Sequence, residues 1–244
     1  MSASSYRVGV LGATGAVGST ILEILNDRDF PVSDVVPFAS ERSAGRLLPF
    51  GEREIACVVP GEDTIQGIDI LISSAGGSIS AEWAPKFVEA GAVVVDNTSY
   101  WRMHEDVPLV VAEVNPEAAQ SHRGIIANPN CTTMAAMPAL KALHDEASLV
   151  RLVVSTYQAV SGSGVAGVAE LDAQIKAGAD HAADLARDGS AVSLPAPTIY
   201  TDTIGFNVLP LAGDVLDDGS NETFDERKPT NETHKILRLH DFLV

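Results

Sequence analysis

Short β-rich runs alternate with helical stretches along the first half of the chain. The hydrophobic pattern predicts strands over residues 7–11, 35–39, 68–73 and 92–97. The spacing of apolar positions predicts helices over residues 19–25 and 81–90, the second of which ends at Gly91. Because strands that alternate with helices pair in parallel through crossover connections, we expect a doubly wound α/β domain over residues 1–130.

The second half of the chain is patterned differently. Residues 124–130 are rich in turn formers, and the Ala, Met and Leu content of residues 132–143 favours a helix. A β-rich run over residues 151–157 predicts the first strand of a second α/β domain with a mixed sheet, which we place at residues 131–244. After a glycine-rich loop, helical periodicity over residues 167–187 ends at Asp188 and Gly189.

Composition excludes several classes of protein. The chain has 33 acidic and 16 basic residues, a net charge of −17, and no basic cluster that would bind a nucleic-acid backbone. Neither a signal peptide nor an apolar run of ~20 residues is present, so we expect no membrane partner and a cytoplasmic protein. Its two cysteines are too few for a disulfide framework, and each is a packed or a reactive thiol.

A glycine-rich turn directly follows the first predicted strand. The segment Gly12-Ala13-Thr14-Gly15-Ala16-Val17-Gly18 leads into a predicted helix. Such glycines let the backbone turn sharply and approach a pyrophosphate, while the helix N-terminus offers unpaired amides to the anion. The alternative is a turn without a ligand, but the order of strand, turn and helix near the start of the chain favours a dinucleotide site.

The end of the second predicted strand indicates which dinucleotide binds. An NAD enzyme usually has a carboxylate there for the ribose hydroxyls, whereas this chain has Ser40-Glu41-Arg42-Ser43. Arg42, with Ser40 and Ser43, suits the 2′-phosphate of NADP, provided that Glu41 points away. The alternative for Arg42 is a solvated surface charge.

The two cysteines have different surroundings. Cys131 follows Asn128-Pro129-Asn130 at the predicted start of a helix, where the helix N-terminus stabilises a thiolate and supplies amides for an oxyanion. Cys57 lies in the apolar run of residues 54–59, where a packed core thiol is expected. We therefore predict that Cys131 is a nucleophile, with a buried structural thiol as the alternative.

Five segments of the sequence resemble bacterial aspartate-semialdehyde dehydrogenases, and they occur in the same order. They are residues 12–18, 40–45, 96–102 (Asp-Asn-Thr-Ser-Tyr-Trp-Arg), 128–133 and 158–164 (Gln-Ala-Val-Ser-Gly-Ser-Gly). The resemblance covers essentially the whole chain. It implies a Rossmann-type NADP domain, a catalytic and dimerisation domain, and a homodimer. The implied reaction is the NADPH-dependent reductive dephosphorylation of β-aspartyl phosphate to aspartate semialdehyde, toward diaminopimelate, lysine, methionine and threonine.

The resemblance also implies a role for individual residues. Cys131 would form the thioester, Gln158 would orient the substrate, and Arg102 with Lys228 would hold the phosphate. Contacts with NADP would come from the first glycine turn, from the loop after the second strand and from a later segment: Gly12, Thr14, Gly15, Ala16, Val17, Ser40, Arg42, Ser43, Ser161 and Gly162. From the residues alone, the alternatives are surface positions for Arg102 and Lys228 and a buried, hydrogen-bonded amide for Gln158.

The chain departs from the family pattern toward its end. The family continues past Val244 into a segment with a substrate-binding arginine and a catalytic histidine, so we expect a sequence that is incomplete and an activity that is severely reduced. None of the six histidines is assigned that role. Asp225 replaces the family's substrate-binding glutamate, Pro229 is expected to interrupt a helix unless it lies in the first turn, and a strand is expected to begin at Asp241.

Other functions were weighed against this one. An N-acetylglutamyl-phosphate reductase has similar chemistry but carries glycine before its cysteine and an aromatic residue after it, where this chain has Asn130 and Thr132. A non-catalytic NADP-binding protein is the second alternative. The serine hydrolase elbow is absent around Ser161, and the acidic loop of residues 214–222 lacks the spacing of a calcium loop. No metal is expected.

Overall fold

The computed structural model describes residues 5–239 of the chain. Its strands and longer helices are, in chain order, β1 (Tyr6–Leu11), α1 (Ala16–Asp27), β2 (Val32–Phe38), β3 (Leu47–Phe50), β4 (Arg53–Ala56), β5 (Ile70–Ser73), α2 (Gly77–Glu89), β6 (Val93–Asp96), β7 (Ile125–Ala127), α3 (Cys131–Ala147), α4 (Gly164–Gly178) and α5 (Phe224–Leu237). They form two compact units: Met1–Val154 with Glu226–Val244, and Ser155–Asp225.

The first unit is built on a five-stranded sheet in the order β2-β1-β5-β6-β7. Every neighbouring pair in this sheet is parallel, as the alternation of strands and helices predicted. The carboxyl ends of all five strands therefore meet at one edge, where ligands bind in folds of this kind. A separate antiparallel hairpin, β3–β4, lies between β2 and β5 in the chain.

Hydrophobic side chains cover both faces of the sheet. Successive residues of a strand point to opposite faces, so Val10 packs with α1 while Leu11 packs with α2. The α2 side is the larger core and includes buried residues of α2, α3 and α5, among them Phe87, Met137 and Ile236. Burial on both faces explains why the strands are nearly continuous apolar runs.

The second unit has little regular structure apart from α4. The helix predicted over residues 167–187 ends as an α-helix at Gly178 and continues only as short 3₁₀ turns. Two buried side chains of α4 form hydrogen bonds with the irregular segment of residues 195–205. Glu170 accepts hydrogen bonds from the backbone of Thr198 and Ile199, and Gln174 accepts them from Ile204 and Gly205.

The sequence predictions for residues 124–130 and 151–157 are wrong. Residues 152–159 form no strand, and the side chains of Val153 and Tyr157 are 76% and 91% exposed, because no neighbouring strand pairs with this run among residues 5–239. The turn-rich passage before Cys131 contains the edge strand β7, whose three residues are too few to show a period.

Pro229 does not interrupt its helix. It is the sixth residue of α5, beyond the first turn, and the helix continues to Leu237. The cost of the lost backbone hydrogen bond is offset by the packing of Ile236 in the larger core. The strand expected from Asp241 lies outside the described residues. Between residues 5 and 239, each helix is too short or too polar to cross a lipid bilayer.

The compact units do not follow the predicted domain boundary after residue 130. Helix α3 and most of α5 belong to the first unit, because their apolar residues complete the core on the α2 side of the sheet. The predicted division into an NADP-binding segment and a catalytic segment concerns function rather than compactness, and it stays a prediction.

Candidate functional site

The glycine turn after β1 is held too tightly to accept side chains. Gly12 has a φ of +89°, and a Cβ added there would lie 2.9 Å from the backbone of Ala75. A Cβ on Gly18 would lie 2.1 Å from the Gly12 carbonyl oxygen. Helix α1 starts directly after Gly15, with no side-chain cap and no acidic residue in its first turn. No side chain therefore caps the amides of its first turn, as a site for a pyrophosphate requires.

A second glycine turn lies beside the first one, and the sequence analysis missed it. The segment Ser74-Ala75-Gly76-Gly77 follows β5 and leads into α2, which also lacks a side-chain cap. Gly76 has a φ of +95°. The signal was available, because a glycine pair at the carboxyl end of a predicted strand is the same pattern that identified the first turn.

The residues predicted to bind the 2′-phosphate lie next to the glycine turn. The carbonyl oxygen of Phe38, the last residue of β2, accepts hydrogen bonds from the amides of Gly12 and Ala13 at 3.0 and 3.1 Å. Ser40 lies two residues further and is the N-cap of a short 3₁₀ turn that contains Arg42. Arg42 is exposed, and neither it nor Glu41 forms an ion pair with another described residue.

Cys131 is exposed at the beginning of α3. Asn130 is the N-cap, and its side-chain oxygen accepts a hydrogen bond from the Thr132 amide at 3.0 Å. The first turn of α3 carries no acidic residue that would oppose a thiolate. Since α3 follows β7, Cys131 lies at the same sheet edge as the Gly12 turn. The strands β7 and β1 are three strand spacings, or about 14 Å, apart.

Arg102 lies beside this cysteine in a buried network. Its Nε donates to the Asn128 carbonyl at 2.9 Å, and its Nη2 donates to the Asn97 carbonyl at 3.0 Å. Its Nη1 donates to Glu232 of α5 at 3.0 Å, and the two side chains are 8% and 2% exposed. The guanidinium is therefore neutralised in the structure, with one N–H left on each of Nη1 and Nη2. Glu232 gave no local signal in the sequence, because its partners lie more than 100 residues away.

Lys235, one turn beyond Glu232, holds the loop that carries Arg102. Its Nζ donates to the carbonyl oxygens of Arg102, His104 and Val107 at 2.7, 2.7 and 2.9 Å. Burial lowers the pKa of this ammonium group. All three of its N–H donors are used, so Lys235 supports the loop and is not available to a ligand.

The other cysteine has the opposite environment. Cys57 is 4% exposed in the core on the α1 side of the sheet, as predicted for a packed thiol. Burial raises the pKa of its thiol, and the charge of Arg46 only partly counteracts this. A neutral, enclosed thiol is a poor nucleophile, so the exposed Cys131 stays the predicted nucleophile.

The remaining predicted residues belong to the second unit, apart from Lys228. Gln158, Ser161 and Gly162 are exposed in the second unit, and Asp225 is the last residue of that unit. Lys228 is half-buried in α5 and belongs to the first unit. The structure thus places Cys131, Arg102 and the first-unit residues predicted to bind NADP at one sheet edge.

Known protein families match both halves of the chain. Residues 7–122 match the semialdehyde dehydrogenase NAD binding domain, and residues 140–244 match the semialdehyde dehydrogenase dimerisation domain. The aspartate-semialdehyde dehydrogenase of Streptomyces akiyoshiensis is 54% identical over 96% of this chain and 68% of its own length. That of Corynebacterium glutamicum is 50% identical over 97% of this chain and 70% of its own length.

Solved structures agree with these matches. Aspartate semialdehyde dehydrogenase II of Vibrio cholerae, complexed with ASA, has a TM-score of 0.89 and 39% identity, covering 99% of this chain and 69% of its own. The enzyme of Candida albicans, solved with NADP, has a TM-score of 0.57 and 30% identity, covering 69% of this chain and 55% of its own.

Proposed function

Because the chain belongs to the aspartate-semialdehyde dehydrogenase family, we propose that it reduces β-aspartyl phosphate to aspartate semialdehyde and phosphate with NADPH. NADP-dependent reductive dephosphorylation is the function of this family. The observation that carries the proposal is the exposed Cys131 at a helix N-terminus, on the same sheet edge as a glycine turn shaped for a dinucleotide.

Cys131 performs the covalent step. Its thiolate attacks the acyl carbon of the substrate, the C–O bond to phosphate breaks, and a thioester remains on the sulfur. The N-terminal amides of α3 point toward the oxyanion that forms during this attack. NADPH, when bound, supplies the hydride that converts the thioester to the aldehyde.

Recognition of the substrate rests on residues whose roles are part of the proposal. Arg102 offers its two remaining N–H groups to the phosphate, and Lys228 offers a positive charge. Gln158 orients the acyl group. Asp225 contacts the substrate with a side chain one methylene shorter than the family's glutamate.

Two loops of the first unit hold NADP in this proposal. Gly12, Thr14, Gly15, Ala16 and Val17 contact the pyrophosphate, and the proposal is supported by the tight turn at Gly12 and by the uncapped start of α1. Ser40, Arg42 and Ser43 bind the 2′-phosphate, supported by the exposure of Arg42 and by its position in the 3₁₀ turn that follows β2. Ser161 and Gly162 complete the contacts from the second unit.

We also propose a homodimer in the cytoplasm. The match of residues 140–244 to a dimerisation domain supports the dimer. Two cysteines that form no disulfide suit a reducing compartment.

The proposal is tested by trapping the covalent intermediate. The chain is mixed with aspartate semialdehyde and NADP without phosphate, and NADPH absorbance and the mass of the Cys131 peptide are followed. We expect one NADPH for each acylated Cys131. Cys131→Ser abolishes both signals, and the matched control Cys57→Ser keeps them, because Cys57 is enclosed in the core.

Two results would contradict the proposal. NADP binding without acylation of Cys131 would favour a non-catalytic NADP-binding protein. Acylation by N-acetylglutamate semialdehyde in preference to aspartate semialdehyde would favour the reductase with related chemistry.

A further inference from the structure

The carboxylate of Glu232 contacts two segments of the candidate site at once. Its Oε1 accepts a hydrogen bond from Arg102 Nη1 at 3.0 Å, and its Oε2 accepts one from the backbone amide of Asn130 at 2.7 Å. Asn130 is the residue before Cys131 and the N-cap of α3. One side chain of α5 therefore joins the arginine loop to the backbone that carries the cysteine.

The burial of Glu232 excludes a direct role in substrate binding or proton transfer. The residue is 2% exposed and both of its oxygens are used, so it neither contacts a substrate nor exchanges protons with one. An unpaired buried carboxylate is costly, and Arg102 supplies the compensating charge. The contact with Asn130 is not needed for that compensation, because it involves a neutral amide.

The Asn130 contact does fix the start of α3. Glu232 holds the amide of Asn130, while the Asn130 side-chain oxygen holds the amide of Thr132. The residues on both sides of Cys131 are thereby hydrogen-bonded, and the sulfur is directed by a backbone with little freedom. A thiolate gains most from a helix N-terminus when it stays within the first turn.

We propose that Glu232 is a positioning residue: through the Asn130 amide it holds Cys131 at the N-terminus of α3, in register with Arg102. The role given to Cys131 rests on the proposed function. The competing explanation is that Glu232 only neutralises Arg102. In that case the negative charge of Glu232 is required, but a side chain long enough to contact Asn130 as well is not.

Two substitutions test the side-chain length and the charge of Glu232 separately. Glu232→Asp keeps the charge but is one methylene too short to contact both Arg102 and Asn130. Glu232→Gln keeps the length but has one acceptor oxygen, which we expect to stay with the arginine because that hydrogen bond is charge-assisted. Its NH₂ group then faces the Asn130 amide, donor against donor.

The measurement is the alkylation rate of Cys131 by iodoacetamide, with the two cysteine peptides resolved by mass spectrometry. We expect both variants to react about two- to fivefold more slowly than the wild-type chain near neutral pH. The rise of the rate with pH is expected to move toward higher pH, since less thiol is ionised at a given pH. Glu82→Asp, an exposed glutamate paired with Lys86, is the matched control and leaves the rate unchanged.

Cys57 checks the fold within the same sample. Because it is buried in the core, it stays unlabelled as long as the first unit is folded. If Glu232→Asp exposes Cys57, Glu232→Gln decides the question. Alkylation needs neither substrate nor NADP, so a failed acylation experiment would not affect this result.

The proposal is overturned if Glu232→Asp reacts like the wild-type chain. It is also overturned if Glu232→Gln reacts faster, because an unneutralised Arg102 would then be promoting ionisation of the thiol. Either result would reduce Glu232 to a counter-ion of the arginine.

Discussion

The two compact units differ in the interactions that stabilise each of them internally. The first unit has a sheet with apolar side chains on both faces, so each buried residue contacts several elements. The second unit depends on two polar side chains of α4 that hold an irregular segment through its backbone amides. Burial of apolar surface is shared among many residues, whereas a hydrogen-bonded clamp depends on a few.

This difference predicts how far the effect of a destabilising substitution extends through the structure. A defect in the first unit weakens a cooperative core and is felt throughout that unit, including the site around Cys131. A defect in the clamp of the second unit frees a local segment. The two units can be followed separately, because both tryptophans, Trp83 and Trp101, lie in the first one.

The largest effect is expected from Phe87→Ala. Phe87 is fully buried in α2 and contacts the ring of Phe38 edge-on, with 5.2 Å between centroids. Its removal leaves a cavity between helix and sheet and lowers the free energy of unfolding by about 3–5 kcal/mol. Tryptophan fluorescence in urea measures this loss. Phe30→Ala, at a residue that is 37% exposed, is the control, and an equal loss there would argue against a close-packed core.

A smaller effect is expected from Gln174→Ala. The substitution leaves the amides of Ile204 and Gly205 and the carbonyl of Pro195 without their partner, which costs about 1–3 kcal/mol locally. Proteolysis at residues 195–205 should increase while the tryptophan transition stays in place. Lys176→Ala, which removes an exposed ion pair on the same helix, is the control. A shift of the tryptophan transition in Gln174→Ala would show that the two units unfold together.

The smallest effect is expected from acid. Burial raises the pKa of Glu170, but hydrogen bonds from Thr198, Ile199 and Tyr200 outweigh it and bring the pKa below its ordinary value of 4.5. The stabilisation is therefore present above 4.5 and is lost as the pH falls through the lower folded value. The protection of the Thr198 and Ile199 amides against hydrogen exchange, relative to unstructured amides at the same pH, should fall in that range. In Glu170→Gln this fall with pH is absent. If the fall persists in that variant, another titrating group causes it.

The sequence predicted the first unit better than the second. Four strands and the helices on both faces were predicted, because alternation and helical spacing are local patterns that burial produces directly. Cys131 was also recognised from local features, namely a rigid turn followed by a helix. These predictions needed no knowledge of distant partners.

Features that depend on long-range contacts were not predicted. Glu232 lies on a polar-looking helix, yet it is buried because Arg102 and the Asn130 amide lie opposite it. The run of residues 151–157 has the composition of a strand but no neighbour to pair with among the described residues. Glu170 and Gln174 resemble ordinary solvated helix positions until the segment of residues 195–205 is placed against them.

The carbonyl group of Phe38 bears on how the loop after β2 can be redesigned. It joins the loop after β2 to the glycine turn entirely through main-chain atoms, so the alignment of the two does not depend on which side chains follow. Under the proposed binding of the 2′-phosphate by Ser40, Arg42 and Ser43, a change of coenzyme preference requires new side chains in this loop and leaves the glycine turn intact.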